Sequence, residues 1–124
     1  MKILVCGDRD WSNEEYLEQV LIALGTEYGV PYTIIQGGAR GADTMAYYFA
    51  QRWNLPCETY RAEWTLYGRA AGAIRNREML TDGKPDLVVA FHDDLENSKG
   101  TKNMVNIAHK AGVPVRVFTS NGEV

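Results

Sequence analysis

The sequence is poor in cysteine. It has only Cys6 and Cys57 in 124 residues, and no Cys-x-x-Cys pair. A disulfide-built miniprotein and a Cys-rich zinc site are thereby excluded. Each cysteine sits in an apolar, strand-like run and reads as a free, buried thiol. The two histidines, His92 and His109, are isolated, so no metal site is expected, and no cofactor either. No apolar run approaches the length of a membrane span. The apolar run at residues 2–6 is cut by Gly7, Asp8 and Arg9, too soon for a signal peptide. These absences make a cytoplasmic protein the expectation. Basic charge is not in excess: 13 Lys+Arg stand against 16 Asp+Glu, for a net charge of −3. The chain as a whole therefore does not advertise a nucleic-acid binder. Repeats, low-complexity stretches and Pro/Ser linkers are lacking too, which predicts one domain over residues 1–120 and a frayed tail at 121–124.

What is present is a β-then-α alternation. Strands are expected at residues 2–6 (KILVC), 33–36 (TIIQ), 57–60, 86–91 (DLVVAF) and 113–118 (VPVRVF). A Ser12-x-x-Glu15 capping box opens a first helix with Tyr16, Leu17, Val20, Leu21 and Leu24 at helical spacing, ended by Gly25, Gly29 and Pro31. The second helix places Ala42, Met45, Ala46, Phe49, Ala50 and Trp53 on one face. Residues 61–72 look irregular, and short helices follow at 73–80 and about 100–111. The fold class is α/β: a Rossmann-like, doubly wound sheet of about five parallel strands with helices on both faces. Such sheets bind ligands beyond the carboxyl ends of their strands, at the topological switch point. The loops that would lie there are the ones richest in glycine and charge.

Four motifs occupy those loops. Gln36-Gly37-Gly38-Ala39-Arg40-Gly41-Ala42-Asp43 follows the second strand and opens a helix, where backbone N–H groups can approach a phosphate. Gly38 and Gly41 suit dihedrals closed to other residues, and Asp43 lies in the first helical turn. It is neither a P-loop nor a G-x-G-x-x-G turn. Gly7-Asp8-Arg9-Asp10-Trp11 offers close backbone approach, a phosphate clamp in Arg9 and a stacking ring in Trp11. Arg75-Asn76-Arg77 lies on a helix, with the two arginines about 200° apart, so one faces the site and the other pairs with an acid. Lys99-Gly100-Thr101 offers N–H groups and a hydroxyl at a helix start. Beside them, Glu63 is a candidate acid and Trp64 a candidate base-stacking ring. His92, Asp93 and Asp94 form a further polar group.

In this order the four motifs resemble the SLOG superfamily, and most closely its small, stand-alone YspA-like members. The Gly-Gly-Ala-Arg-Gly-Ala-Asp run is similar to the motif after the second strand of the DprA (Smf) family, and Ile74-Arg75-Asn76-Arg77 looks like that family's Arg-Asn-Arg segment. Lys99-Gly100-Thr101 takes the place of the LOG family's Gly-Thr phosphate loop. The resemblance runs over about residues 2–118. It implies a Rossmann-like domain that binds a nucleotide or nucleotide-derived small molecule (a nucleotide sugar, an ADP-ribose- or NAD-like compound, or a nucleotide signal) as a sensing or sequestering module. A LOG-like nucleotide N-glycosidic hydrolase is the alternative, with Asp43 or Glu63 as acid. Met104 stands where that family's catalytic Glu would be, which argues against it. DprA-like single-stranded DNA binding is a third reading, opposed by the acidic balance. A homodimer is compatible with the apolar face of the second helix, including Tyr47, Tyr48 and Phe49.

Arg9, Arg40, Arg69, Arg75, Arg77, Lys99 and Lys102 all fall in or beside these segments. A cationic pocket inside an acidic shell is the resulting expectation.

Overall fold

The computed structural model describes residues 1–124. β1 (Lys2–Gly7), β2 (Thr33–Gln36), β3 (Cys57–Thr59), β4 (Leu87–Phe91), β5 (Val115–Thr119) and β6 (Gly122–Glu123) form one sheet in the order β3-β2-β1-β4-β5-β6. The first five pair in parallel, and β6 turns back antiparallel on β5. The helices are α1 (Glu14–Tyr28), α2 (Ala42–Arg52), α3 (Trp64–Tyr67), α4 (Ala71–Thr81) and α5 (Gly100–Lys110).

The alternation along the strands builds two cores. Ile3 and Val5 of β1 and Leu87, Val89 and Phe91 of β4 face α1 and α2. Leu4 and Cys6 of β1 and Val88 and Ala90 of β4 face α4 and α5. Both faces of the sheet are covered, which is why β4 reads as an unbroken apolar run. Each large side chain so buried contributes roughly 1.5–3 kcal/mol. Met104, fully buried in the second cluster, is a core residue, so α5 brings no acid to that position. No helix is long and apolar enough to cross a membrane.

Several local expectations need correction. Asn13, not Ser12, caps α1, its Oδ1 accepting the Tyr16 N–H at 3.0 Å. The helix begins one residue later than the capping box requires, and Gly25 lies inside it. Of residues 61–72 only 61–63 are irregular: the Glu63 carbonyl accepts from Leu66 and Tyr67 to start α3, a 3₁₀ turn (Gly68–Ala70) follows, and α4 begins at Ala71. Trp53 ends up 57% exposed, lying over Phe49 rather than within the core. On α2, Phe49 packs inward while Tyr47 and Tyr48 face outward. Cys6 is buried, but Cys57 only half-buried.

The frayed tail at 121–124 is also overturned, because Gly122 and Glu123 form β6. The Arg116 guanidinium holds the Glu123 carboxylate through two bonds of 2.6 and 2.8 Å and reaches Glu27 of α1 at 3.0 Å. Asp93 accepts from the backbone N–H and the hydroxyl of Ser120, both at 2.6 Å, which holds its carboxyl below the usual range. A lone exposed ion pair contributes little, but a bidentate pair within a network is the favourable case. A tail of polar residues gave no apolar signal for any of this.

Candidate functional site

β1 is flanked by β2 on one side and by β4 on the other, so the chain's crossovers diverge at the β1–β4 junction. A cleft of about 870 Å³ opens there, beyond the carboxyl ends of the strands. The volume is in the range of small-molecule sites. Of the expected site residues, Gly7, Asp8, Arg9, Ala39, Asp43, Trp64, Arg75, Asn76, Lys99, Gly100 and Thr101 line it. Gly37 and Gly38 line an adjoining lobe of about 310 Å³.

The glycine loop serves differently than expected. The N–H groups of Gly37, Gly38 and Ala39 are taken up within the chain, while those of Arg40 and Gly41 have no partner there. Asp43 Oδ2 accepts from Gly37 N at 3.1 Å and from Ala39 N at 3.2 Å, and Gln36 Oε1 accepts from Gly38 N at 2.6 Å. Gly41, at φ +79°, is needed for close approach, since a Cβ there would strike the backbone of Asp8 and Arg9. Gly37 has no room either, because a Cβ would collide with the Arg75 guanidinium and stand 2.9 Å from Asp43 Oδ2. Gly37→Ala should therefore displace Arg75 and lower the unfolding free energy by about 1–3 kcal/mol, measured by urea denaturation.

Arg75 is the centre of the site. Its Nη1 donates to the Gly37 carbonyl at 2.6 Å and its Nε to Asn76 Oδ1 at 3.0 Å. Nη2 has no partner in the chain, and no buried polar side-chain atom is left unsatisfied. Nη2 therefore opens onto the cleft. Asn76 is spent on structure, because its Nδ2 also donates to Gly100 O and Asn103 Oδ1 and so ties α4 to α5. Arg77 points away, exposed, outside the cleft and without the acidic partner expected for it.

Asp43 is also buried, and only its Oδ2 is engaged within the chain. Its Oδ1, by the same reasoning as for Arg75, meets the cleft. Burial pushes its pKa up from 3.8 to about 6, against the pull of the Ala39 N–H and of Arg75. Burial also raises the Cys6 thiol, with Asp43 adding to the effect, so Cys6 lines the cleft as an inert thiol.

Besides Arg77, two more expected residues, Trp11 and Glu63, are not in the site. Trp11 is 6% exposed, lies 5.6 Å from the Phe91 ring and donates from Nε1 to Asn13 O, so it is core rather than a stacking surface. Glu63 lies at the start of α3, outside the cleft. Trp64 does reach the cleft, 49% exposed, with the Arg9 guanidinium 5.4 Å from its ring centre. Sequence reading missed Arg61, whereas it names His92 in its polar group. Arg61 borders the smaller lobe, and His92 lines the larger one with Nδ1 accepting from Asp94 N at 2.9 Å and Nε2 4.0 Å from Asp8 Oδ2. Arg61 had no neighbouring glycine or helix start to mark it.

The helix start at Gly100 fits its motif. Lys99 supplies no side-chain cap, and the N–H groups of Gly100 and Thr101 have no carbonyl partner. Lys102 N is taken by Ser98 Oγ at 3.0 Å.

The charges are sorted by partner. Lys2, Arg40, Arg52, Lys102 and Arg116 each have a carboxylate within ion-pair distance. Arg9, Arg69, Arg75 and Lys99 have none, and all four line the large cleft.

The model of the YspA, cpYpsA-related SLOG family matches residues 1–67, which include the first two motifs, Arg61 and Trp64. The Gene 61 protein of Mycobacterium phage D29 is 37% identical over 125 residues, spanning 94% of this chain and 95% of that one. No solved structure matches. With more than half of the chain matched by the family model, the chain belongs to the YspA, cpYpsA-related SLOG family.

Proposed function

We propose that the cleft binds a phosphorylated, nucleotide-derived small molecule and that the protein works as a sensing or sequestering module. The observation that carries this reading is the convergence of Arg9, Arg69, Arg75 and Lys99 on one cleft, none of them with a carboxylate within ion-pair distance. Arg75 is desolvated by burial and repelled by the neighbouring Arg9, and a bound anion relieves that cost. Arg75 Nη2 and the Gly100 and Thr101 N–H groups would hold the phosphate, and the Trp64 ring would flank the base. A long nucleic acid fits less well. Asp8 and Asp10 also line the cleft, and Lys2, Arg40, Arg52, Lys102 and Arg116 are already paired. The basic surface is a pit rather than a stripe.

Calorimetry and thermal denaturation with nucleoside 5′-monophosphates test this. Ligand at 100 times its Kd should stabilise the fold by about 2.7 kcal/mol, a rise in Tm of about 10 °C. No heat and no shift with millimolar nucleotide refutes the reading.

A further inference from the structure

The smaller lobe of the cleft differs in charge from the larger one. It encloses about 310 Å³ beside Arg9, Arg40, Arg61, Arg75 and Trp64, and no carboxylate lines it. The larger lobe mixes its cations with Asp8, Asp10 and Asp43. Of the four arginines around the smaller lobe, only Arg40 has a carboxylate partner, Asp10 at 3.2 Å across an exposed pair. Arg61 makes a single long contact, Nη1 to Gly38 O at 3.5 Å. It lies across Gly38 so closely that a Cβ there would stand 3.0 Å from its Cγ and its Nη1. Gly38 thus does more than turn the chain at φ +72°: its bare Cα lets Arg61 lie across the loop. Arg75 is only 9% exposed, lines both lobes and keeps Nη2 unbonded. Arg9 and Trp64, one over the other, also line both.

We propose that the smaller lobe is a second anion subsite, and that the ligand carries two phosphates held apart by a sugar. One phosphate lies at the start of α5. The other lies among Arg9, Arg61 and Arg75, and the sugar passes the Arg9–Trp64 pair. Arg9, Arg61 and Arg75, three cationic side chains with no carboxylate within ion-pair distance around a small lobe that no acid lines, are unbalanced until a second negative group enters. A nucleoside monophosphate would leave that lobe without its anion. The inference rests on the reading of the larger lobe as a site for a phosphorylated ligand.

The test compares wild type with Arg61→Gln by calorimetry, against adenosine and guanosine 5′-monophosphates, their 3′,5′-bisphosphates, and oligothymidylates of two to eight nucleotides. Arg61 is exposed, so the variant should fold, with an unchanged circular dichroism spectrum and Tm. Wild type should bind a bisphosphate about tenfold or more tighter than the matching monophosphate, because a second charge-assisted contact set is engaged. Arg61→Gln should erase that ratio and leave the monophosphate Kd unchanged. Equal binding of the two ligand classes by wild type, or an equal loss of both in the variant, overturns the subsite alone. Affinity that keeps climbing with oligothymidylate length overturns it in favour of single-stranded nucleic acid. If neither nucleotide class binds, the larger-lobe reading falls and the subsite with it.

Discussion

Arg75→Met should lower the unfolding free energy by about 3 kcal/mol and raise the Kd for a nucleoside monophosphate about 100-fold. The two losses share one cause. The guanidinium ties α4 to the β2–α2 loop through the Gly37 carbonyl and is fixed in turn by Asn76 Oδ1. Methionine keeps much of the apolar stem but donates nothing. The Gly37 carbonyl is then left without its charged donor, and Asp43 loses a buried positive neighbour. Nη2, the one nitrogen of Arg75 turned to the cleft without a partner, disappears with it. Urea denaturation and calorimetry measure the two effects separately. A variant of wild-type affinity would remove Arg75 from the binding site, whatever its stability.

Asp43→Asn should change the pH dependence of stability by about 3 kcal/mol between pH 4 and pH 7. The folded carboxyl, pushed up to about 6 by burial, holds its proton more tightly than the unfolded one at 3.8. Its contribution to stability is therefore complete below about pH 3.8. It falls as pH rises to 6 and is flat above. The asparagine variant lacks this decline, because its amide oxygen can take the place of Oδ2 opposite Gly37 N and Ala39 N without ever carrying charge. Its stability relative to wild type should climb across that interval, and parallel profiles would show that Asp43 does not titrate there. The same variant decides the hydrolytic alternative. Met104 is sealed in the core and Glu63 lies off the cleft, whereas Asp43 turns Oδ1 into the cleft with a pKa close to neutrality. Base release by wild type that Asp43→Asn abolishes would establish an enzyme.

The strands and the two covered faces were legible because β4 is apolar throughout and the turns carry glycine or proline. The cleft was legible as a set of loops, since its Gly-rich segments lie at the carboxyl ends of adjacent strands. What each loop does was not. The glycine run looks like a phosphate cradle in one dimension. Only in three dimensions do Asp43 and Gln36 absorb the N–H groups of Gly37, Gly38 and Ala39, and only there do the missing Cβ atoms of Gly37 and Gly38 make room for arginines from distant segments. Trp11 misled for a related reason, since a ring beside a charged loop gives no sign of whether it points up or down. Arg61 was invisible because its role depends on Gly38, which is 23 residues away. The strand at 122–123 depends on a carboxylate–guanidinium pairing between Glu123 and Arg116 that hydrophobic periodicity does not register.

That last strand also governs how the molecule meets its own copies. An open row of backbone donors and acceptors along a sheet margin is a template for another chain's strand. Here β5 is screened by Gly122 and Glu123, with the Glu123 carboxylate clasped by Arg116. The opposite margin, β3, is only three residues long, and its Glu58 is bound to Lys2 at 2.8 Å. Both margins are thus short or blocked, and self-association by adding strands is disfavoured at either end. Any contact between copies is left to the helical faces, where the Tyr47 and Tyr48 rings stand outward from α2.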